Sequence, residues 1–319
     1  MLTVDMDELF RLALFEDIGS GDATTLCVIP AGQQGSAVIF GREPFVLSGS
    51  RPFRRIFELL DPEVRIECLL PDGEQIAPNV PVFRIEGRVR TLLTGERTAL
   101  NFAQRLCGIA TLTRKMADAI AGTGCRLLDT RKTTPLWRGL EKEAVRHGGG
   151  TNHRFGLADG ILIKDNHIAA AGGVKEAVRR AREGAPHMLR IEVEAESLAD
   201  LNDAIAAGAD IVLLDNFPLD MLKSAAEIGK GRVTLEASGG VTLETVRAIA
   251  ETGVDFVSCG ALTHSAGAID LTMEFEHGLG SEAGQEKNLD SDGEAKRSGW
   301  RSVAGWIKKM KEKMSDEVE

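Results

Sequence analysis

The chain has few cysteines for its 319 residues, and Cys27, Cys68, Cys107, Cys125 and Cys259 form neither a CxxC pair nor a regular spacing. That scatter argues against a disulfide framework and a zinc site, and points to a reducing, cytoplasmic location. No apolar run approaches the length of a membrane span. Asp5, Asp7 and Glu8 stand where a secretory signal requires positive charge, so no export is expected. Positive charge is also short overall: 38 Lys and Arg against 48 Asp and Glu give a net charge of -10. Such a balance supplies no electrostatic reason to bind nucleic acid. What the chain does have is 43% hydrophobic content, enough for a sizeable core in one large domain or two.

The first 106 residues read as a small α+β unit. Residues 6–15 have helix-forming character, residues 36–47, 64–70 and 82–93 alternate as strands, and Pro71-Asp72-Gly73 makes a turn. From residue 96 to 121 apolar positions recur at three and four residues, which predicts a helix leading into a second domain. Over residues 107–266, short apolar runs alternate with helical patterns such as 197–207 and 243–252. Two of the repeats end their helix on Gly before Asp and a strand, at Gly208 and Gly253, where Gly admits the left-handed turn. The fold class is therefore α/β: an incomplete parallel α/β barrel of six strands, with a seventh or an open seam allowed, behind an N-terminal α+β domain. Residues 267–277 are candidates to complete the N-terminal unit. Residues 278–298, rich in Gly, Ser, Asp, Glu and Lys, read as a flexible linker. Residues 299–319 carry Trp300, Val303, Ile307, Met310 and Met314 as an amphipathic stripe. That helix would dock on its own oligomer, or bind an anionic membrane surface or a partner groove.

Six apolar runs end in reactive residues: Asp129-Thr130-Arg131-Lys132, Lys164-Asp165-Asn166-His167, Glu194, Asp215-Asn216, Ser238-Gly239-Gly240 and Cys259-Gly260-Ala261. In a parallel barrel those ends face one mouth. Between residues 131 and 164 stand Arg131, Lys132, Arg138, Lys142, Arg146, Arg154 and Lys164 against only Glu141, Glu143 and Asp159, with His147 and His153 among them. Such a cluster is either a solvated charged face or a concave trap for a small, multiply charged anion, and its position at strand ends favours the trap. Thr134 and Pro135 are placed to cap and start a helix over residues 136–147. The glycines at 148–150 either stop that helix or let Asn152-His153-Arg154 close on a ligand.

Lys164 at a strand end is also where an aldolase would keep a Schiff-base lysine. Glu194 and Asp215 suit either Mg²⁺ held jointly with phosphate oxygens or ion pairing within the cluster. The Gly-containing turns at 238–240 and 259–261 suit close backbone approach to phosphate. His167 and His264 lack a second ligand at metal spacing and read as hydrogen-bonded structural residues, and His187 and His277 carry no signal.

The runs Asp129-Thr130-Arg131-Lys132-Thr133-Thr134-Pro135, Glu141-Lys142-x-Ala144-Val145-Arg146-x-Gly148-Gly149-Gly150-x-Asn152-His153-Arg154 and Leu162-Ile163-Lys164-Asp165-Asn166-His167 closely resemble the quinolinate phosphoribosyltransferase family. The likeness extends from about Glu16 to Ser265. It implies a type II phosphoribosyltransferase that joins quinolinate to 5-phosphoribosyl 1-pyrophosphate and releases pyrophosphate and CO₂, giving nicotinate mononucleotide for NAD synthesis. It further implies a homodimer or higher even oligomer with shared sites. In this likeness Arg131, His153, Arg154 and Lys164, with Arg97 from a neighbouring subunit, hold quinolinate, and Thr130 joins the substrate contacts. Lys132 meets pyrophosphate. Glu194 and Asp215 take ribose hydroxyls and Mg²⁺, while Ser238, Gly239, Gly240, Cys259, Gly260 and Ala261 take the 5′-phosphate. No organic cofactor is implied.

The family continues after Thr-Thr-Pro with Gly-Leu-Arg, whereas this chain has Leu136-Trp137-Arg138, and the tail after residue 278 exceeds the family's usual end. Three other readings stand beside this one: a paralogous phosphoribosyltransferase acting on another acceptor, a Schiff-base aldolase using Lys164, and a non-catalytic scaffold recruited through the tail.

Overall fold

The computed structural model describes residues 5–276, so the expected linker and terminal helix lie outside the described residues. The N-terminal unit runs α1 (Met6–Ile18), α2 (Ala23–Val28), β1 (Gln34–Gly41), β2 (Phe45–Val46), α3 (Ser50–Leu60), β3 (Arg65–Cys68), β4 (Gln75–Ile76) and β5 (Pro81–Arg88). Then comes α4 (Val89–Ala119), a helix of 31 residues. It starts earlier than its periodicity suggests because Val89 and Leu92, which continue the alternation of β5, are buried on the helix instead. The expected strand at 36–47 is split into β1 and β2, with Pro44, which has no N–H to donate to a ladder, in the gap. Sequence patterning did not reveal α3, which opens at Gly49 (φ 97) and tolerates Pro52 because its first-turn N–H groups have no helical partner.

The second unit alternates β6 (Arg126–Leu128), α5 (Arg138–His147), β7 (Ile161–Ile163), α6 (Asp165–Ala171), α7 (Val174–Gly184), β8 (Ile191–Ala195), α8 (Leu198–Ala206), β9 (Ile211–Asp215), α9 (Leu219–Gly229), β10 (Thr234–Ser238), α10 (Val246–Ala250), β11 (Phe256–Ser258) and α11 (Ala261–His264). Its sheet has the order β6-β11-β10-β9-β8-β7, and every ladder in it is parallel. These strands are almost wholly buried, as a sheet covered by helices requires. Beyond β6, Thr151 adds an isolated parallel bridge to Leu128 in place of a seventh strand.

The last strand, β12 (Leu271–Phe275), leaves the barrel and pairs antiparallel with β1, giving the four-stranded order β12-β1-β5-β3. The two units also share α4, which packs on α3 on one side and on α5 on the other. An aromatic series carries the contact further: Phe10 meets Phe102 edge-on at 5.2 Å, and Phe102 stacks flat on Trp137 at 4.2 Å. Phe102 thereby ties α1 to the segment that precedes α5.

Candidate active site

The carboxyl ends of the parallel strands surround a cavity of about 720 Å³. Thr130, Arg131, Lys132, His153, Arg154, Lys164, Glu194, Asp215, Ser238, Gly239 and Gly240 all line it. Residues as far apart as Thr130 and Gly240 meet there because each follows a strand of one parallel sheet.

Each strand end is held by its own hydrogen bonds. Asp129, fully buried after β6, accepts from Lys142 Nζ (2.6 Å), the His153 backbone N–H (2.7 Å) and Asn152 Nδ2 (2.7 Å). Lys142 also donates to the His153 carbonyl (3.1 Å), and burial lowers its pKa, offset in part by Asp129. This pair fixes the 152–154 segment beside β6. The three glycines preceding that segment serve packing: a Cβ on Gly148 or Gly150 would collide with Thr113 of α4, and Gly149 has φ 89. Only His153 and Arg154 of that stretch reach the cavity.

Lys164 Nζ forms an ion pair of 2.5 Å with Glu194 Oε1, and the Asp165 N–H donates to Glu194 Oε2 (3.1 Å). Lys164 is half exposed and its amine is engaged by a carboxylate, and no second feature of the cavity singles it out for the aldolase reading. His167 Nδ1 accepts the Lys164 N–H (3.0 Å) and His264 Nδ1 lies 2.6 Å from Ser265 Oγ, so both make the local contacts of structural residues.

Asp215 accepts from Asn216 Nδ2 (2.9 Å), and Asn216 in turn crowds Gly239, whose φ of 97 and contact with that side chain leave no room for a Cβ. Glu194 and Asp215 offer the hard oxygens that Mg²⁺ takes. Both Glu194 oxygens already accept hydrogen bonds, so this pair fits an ion that arrives with phosphate oxygens better than a closed protein cage.

Several expectations need correction. Thr134 and Pro135 do not open a helix: α5 begins at Arg138, and Thr134 instead donates to Glu141 from its hydroxyl (2.8 Å) and its N–H (3.0 Å). Leu136, where the resembling family has Gly, takes the left-handed φ of 66. Cys259, Gly260 and Ala261 do not line the cavity. Cys259 is buried with its thiol toward the Val241 carbonyl (3.5 Å), and Ala261 starts α11. Ser258 lines the cavity instead, and Gly260 leaves room for the Lys132 side chain, whose Cδ a Cβ would strike. Arg97, expected to serve a neighbouring subunit's site, is exposed on α4 and does not line this cavity.

Two residues were missed. Glu192 and Glu236 are buried below the mouth, and Glu236 touches the cavity. His153 Nε2 lies 3.0 Å from Glu192 Oε2 and 3.7 Å from Glu236 Oε2. Oε1 of each acid has no hydrogen-bond partner. Burial, reinforced by the neighbouring Glu192 charge, pushes the Glu236 carboxyl up. Burial alone would lower the His153 pKa, but the Glu192 hydrogen bond and both carboxylate charges raise it, favouring imidazolium. A signal was present: side chains two apart on a strand share a face, so Glu192 lies one layer below Glu194, and Glu236 one below Ser238.

A parallel α/β barrel whose mouth sets Arg131, Lys132, Arg154 and Lys164 beside Glu194 and Asp215, with Asp165, Glu196, Asp200 and Glu236 also in the lining, defines an enzyme whose site pairs a cationic cluster with carboxylates that suit hydroxyls or a divalent ion. Comparison with known proteins narrows that class. The model of the quinolinate phosphoribosyl transferase N-terminal domain matches residues 22–107, and that of the C-terminal domain residues 109–274. A probable nicotinate-nucleotide pyrophosphorylase [carboxylating] of Bacillus subtilis is 43% identical over 272 residues, 85% of this chain and 93% of the relative. The chloroplastic nicotinate-nucleotide pyrophosphorylase [carboxylating] of Arabidopsis thaliana is 40% identical over 302 residues, covering 89% of this chain and 86% of its own. The crystal structure of NadC from Streptococcus pyogenes superposes with a TM-score of 0.82 at 42% identity, over 86% of this chain and 97% of that one. The chain belongs to the quinolinate phosphoribosyltransferase family.

Proposed function

We infer that this chain transfers phosphoribosyl from 5-phosphoribosyl 1-pyrophosphate to quinolinate with decarboxylation, forming nicotinate mononucleotide, pyrophosphate and CO₂ in NAD biosynthesis. The observation that carries the reading is the convergence of Arg131, His153, Arg154 and Lys164 in one cavity that also holds Glu194 and Asp215. Quinolinate is a dicarboxylate, and charge-assisted hydrogen bonds to it are worth roughly 1.5 to 3 kcal/mol each. Arg131 and Arg154 are its main clamps. His153, paired from below with Glu192, donates to a carboxylate without leaving a buried cation unbalanced.

Lys132 is assigned to pyrophosphate, Glu194 and Asp215 to the ribose hydroxyls, and Ser238, Gly239 and Gly240 to the 5′-phosphate. Mg²⁺ bound with the sugar substrate at Glu194 and Asp215 would neutralise charge on the departing pyrophosphate. As that bond lengthens, positive charge develops at the anomeric carbon, and the pyridine nitrogen attacks from the opposite face. The chain's contribution is orientation and charge placement. The alkylated ring nitrogen is then cationic and stabilises the carbanion left on the adjacent carbon when its carboxylate departs as CO₂; that carbon takes up a proton to give the mononucleotide, so no organic cofactor is invoked.

Arg97 lies outside its own cavity, which supports a dimer in which each site borrows Arg97 from the neighbour. Five free cysteines support a reducing compartment, the cytoplasm. The test is incubation with quinolinate, phosphoribosyl pyrophosphate and Mg²⁺, with the mononucleotide read by chromatography. Absence of product from folded protein overturns the assignment. Mixed dimers of Arg97→Ala with Lys164→Ala subunits are expected to recover activity that neither variant shows alone, and no recovery in verified mixed dimers rejects the shared site.

A further inference from the structure

One ion pair with a buried carboxylate and a partly exposed guanidinium lies outside the cavity yet is wired to two of its loops. Glu141 of α5 is fully buried and uses both oxygens: Oε1 accepts from the Thr134 hydroxyl and from Arg105 Nη2 (3.3 Å), and Oε2 accepts the Thr134 N–H. Arg105 projects from α4 and donates to the carbonyls of Ala266 (2.7 Å) and Thr263. Thr263, itself fully buried, closes the circuit by donating its hydroxyl to the Lys132 carbonyl (2.8 Å). One guanidinium therefore joins the loop carrying Arg131 and Lys132 to the α11 segment that follows the 258–260 turn. Neither Arg105 nor Glu141 touches the cavity. A charge pair with one buried partner is weak evidence of stabilisation in itself, because desolvation of that partner offsets much of its attraction. Its use here lies in geometry, since Lys132 has no other side chain holding its backbone carbonyl among the described contacts.

We propose that Arg105, Glu141 and Thr263 are positioning residues that set where Lys132 stands relative to the 258–260 turn, and so govern recognition of the pyrophosphate end of the sugar substrate. The proposal rests on the phosphoribosyltransferase reading for its substrate but not for its geometry, and the test separates the two. Thr263→Val keeps the volume and removes only the hydroxyl, which lies 2.8 Å from the Lys132 carbonyl and 3.3 Å from the Gly260 carbonyl, so its melting temperature should stay within about 4 °C of wild type. Its affinity for inorganic pyrophosphate, measured by calorimetry without turnover, should fall roughly tenfold, and Glu141→Gln should lose roughly tenfold to a hundredfold. In a Lys132→Ala background, Thr263→Val should change pyrophosphate affinity less than about twofold, because residues acting as a unit are not additive.

Where turnover is measurable, kcat/KM for phosphoribosyl pyrophosphate should fall in parallel. A folded Thr263→Val protein with wild-type pyrophosphate affinity, or independent effects in the double variant, overturns the proposal. Normal pyrophosphate behaviour of the variants beside a wild type that makes no mononucleotide sinks both; the predicted binding losses beside such a wild type sink only the assigned reaction.

Discussion

The four-stranded N-terminal sheet and the six-stranded barrel bury charge in opposite ways. Among the described residues the N-terminal unit buries one ionisable carboxylate, Asp61, and surrounds it with donors: Arg88 Nε at 2.7 Å, the Thr91 hydroxyl and the Glu63 N–H. The barrel unit buries Asp129, Glu141, Lys142, Glu192 and Glu236, and leaves an oxygen of each of the last two acids without a partner. Elsewhere the N-terminal unit relies on apolar packing, as where Phe53 stacks on Phe83 at 4.3 Å. One unit is a scaffold with its buried carboxylate satisfied, and the other stores unsatisfied polarity beneath a mouth lined by charges of both signs. Burying unpaired polar atoms costs stability, and it is tolerated where it holds reactive groups in place.

The largest expected effect separates the two units by activity. Arg131→Ala should lower kcat/KM by about 2 to 4 kcal/mol in transition-state terms, through lost carboxylate recognition. Arg55→Ala, which removes surface pairs with Asp7 and Glu58 in the N-terminal unit, should leave kcat/KM unchanged. Equal losses from the two substitutions, measured by steady-state kinetics, would erase the distinction.

Next in size is a contrast in pH dependence. The Arg88 hydrogen bond, opposed by burial, holds Asp61 down at about 2 against an ordinary value of 3.8. Its contribution to stability is therefore complete above that ordinary value and is lost as pH falls toward 2. Glu236 is pushed up to about 7 against 4.5, first by burial and then by Glu192. Its folded state keeps a proton that the unfolded chain has released, so its contribution is full at acid pH and is lost as pH rises through 7. Denaturant titrations across pH should show Glu236→Gln flattening the decline on the neutral side, and Asp61→Asn flattening the acid limb. The reverse assignment would contradict the picture of two differently balanced interiors.

The smallest effect concerns backbone conformation. Leu136 in the barrel unit and Asn79 in the N-terminal unit have φ of 66 and 61. The left-handed region costs a residue with a Cβ about 1 to 2 kcal/mol, less for Asn, whose side chain bonds locally. Leu136→Gly should therefore gain up to about 1 kcal/mol after the entropy of glycine is deducted, and Asn79→Gly should gain less. Chemical denaturation reads both, and a loss on Leu136→Gly would show that its side chain stabilises the loop by contact instead.

Much of the site was legible along the chain. Arg131, Lys132, Lys164, Glu194, Asp215 and Ser238 each follow an apolar run, and a parallel sheet brings such positions to one end. The glycines at 148–150 were harder to read, because a turn for a ligand and a close approach to a helix require the same residue; Thr113 of α4 decides for packing. Thr134 was misplaced for a related reason. A Thr-Thr-Pro run suits a helix start, but Glu141 draws Thr134 back and α5 starts later. Glu192 and Glu236 stood in plain view inside apolar strands, yet their depth emerges only from alternation counted against a known inward face.

The order of residues by itself determined the βα alternation, the chemistry waiting at each strand end and the family, because hydrophobic period and local motifs act over a few neighbours. Tertiary structure alone decided that Cys259 turns into the core and that Arg105, Glu141 and Thr263 meet around the Lys132 loop. Those outcomes depend on the closing of the sheet and on which buried polar group finds which partner, a pairing set by distance in space between segments far apart along the chain.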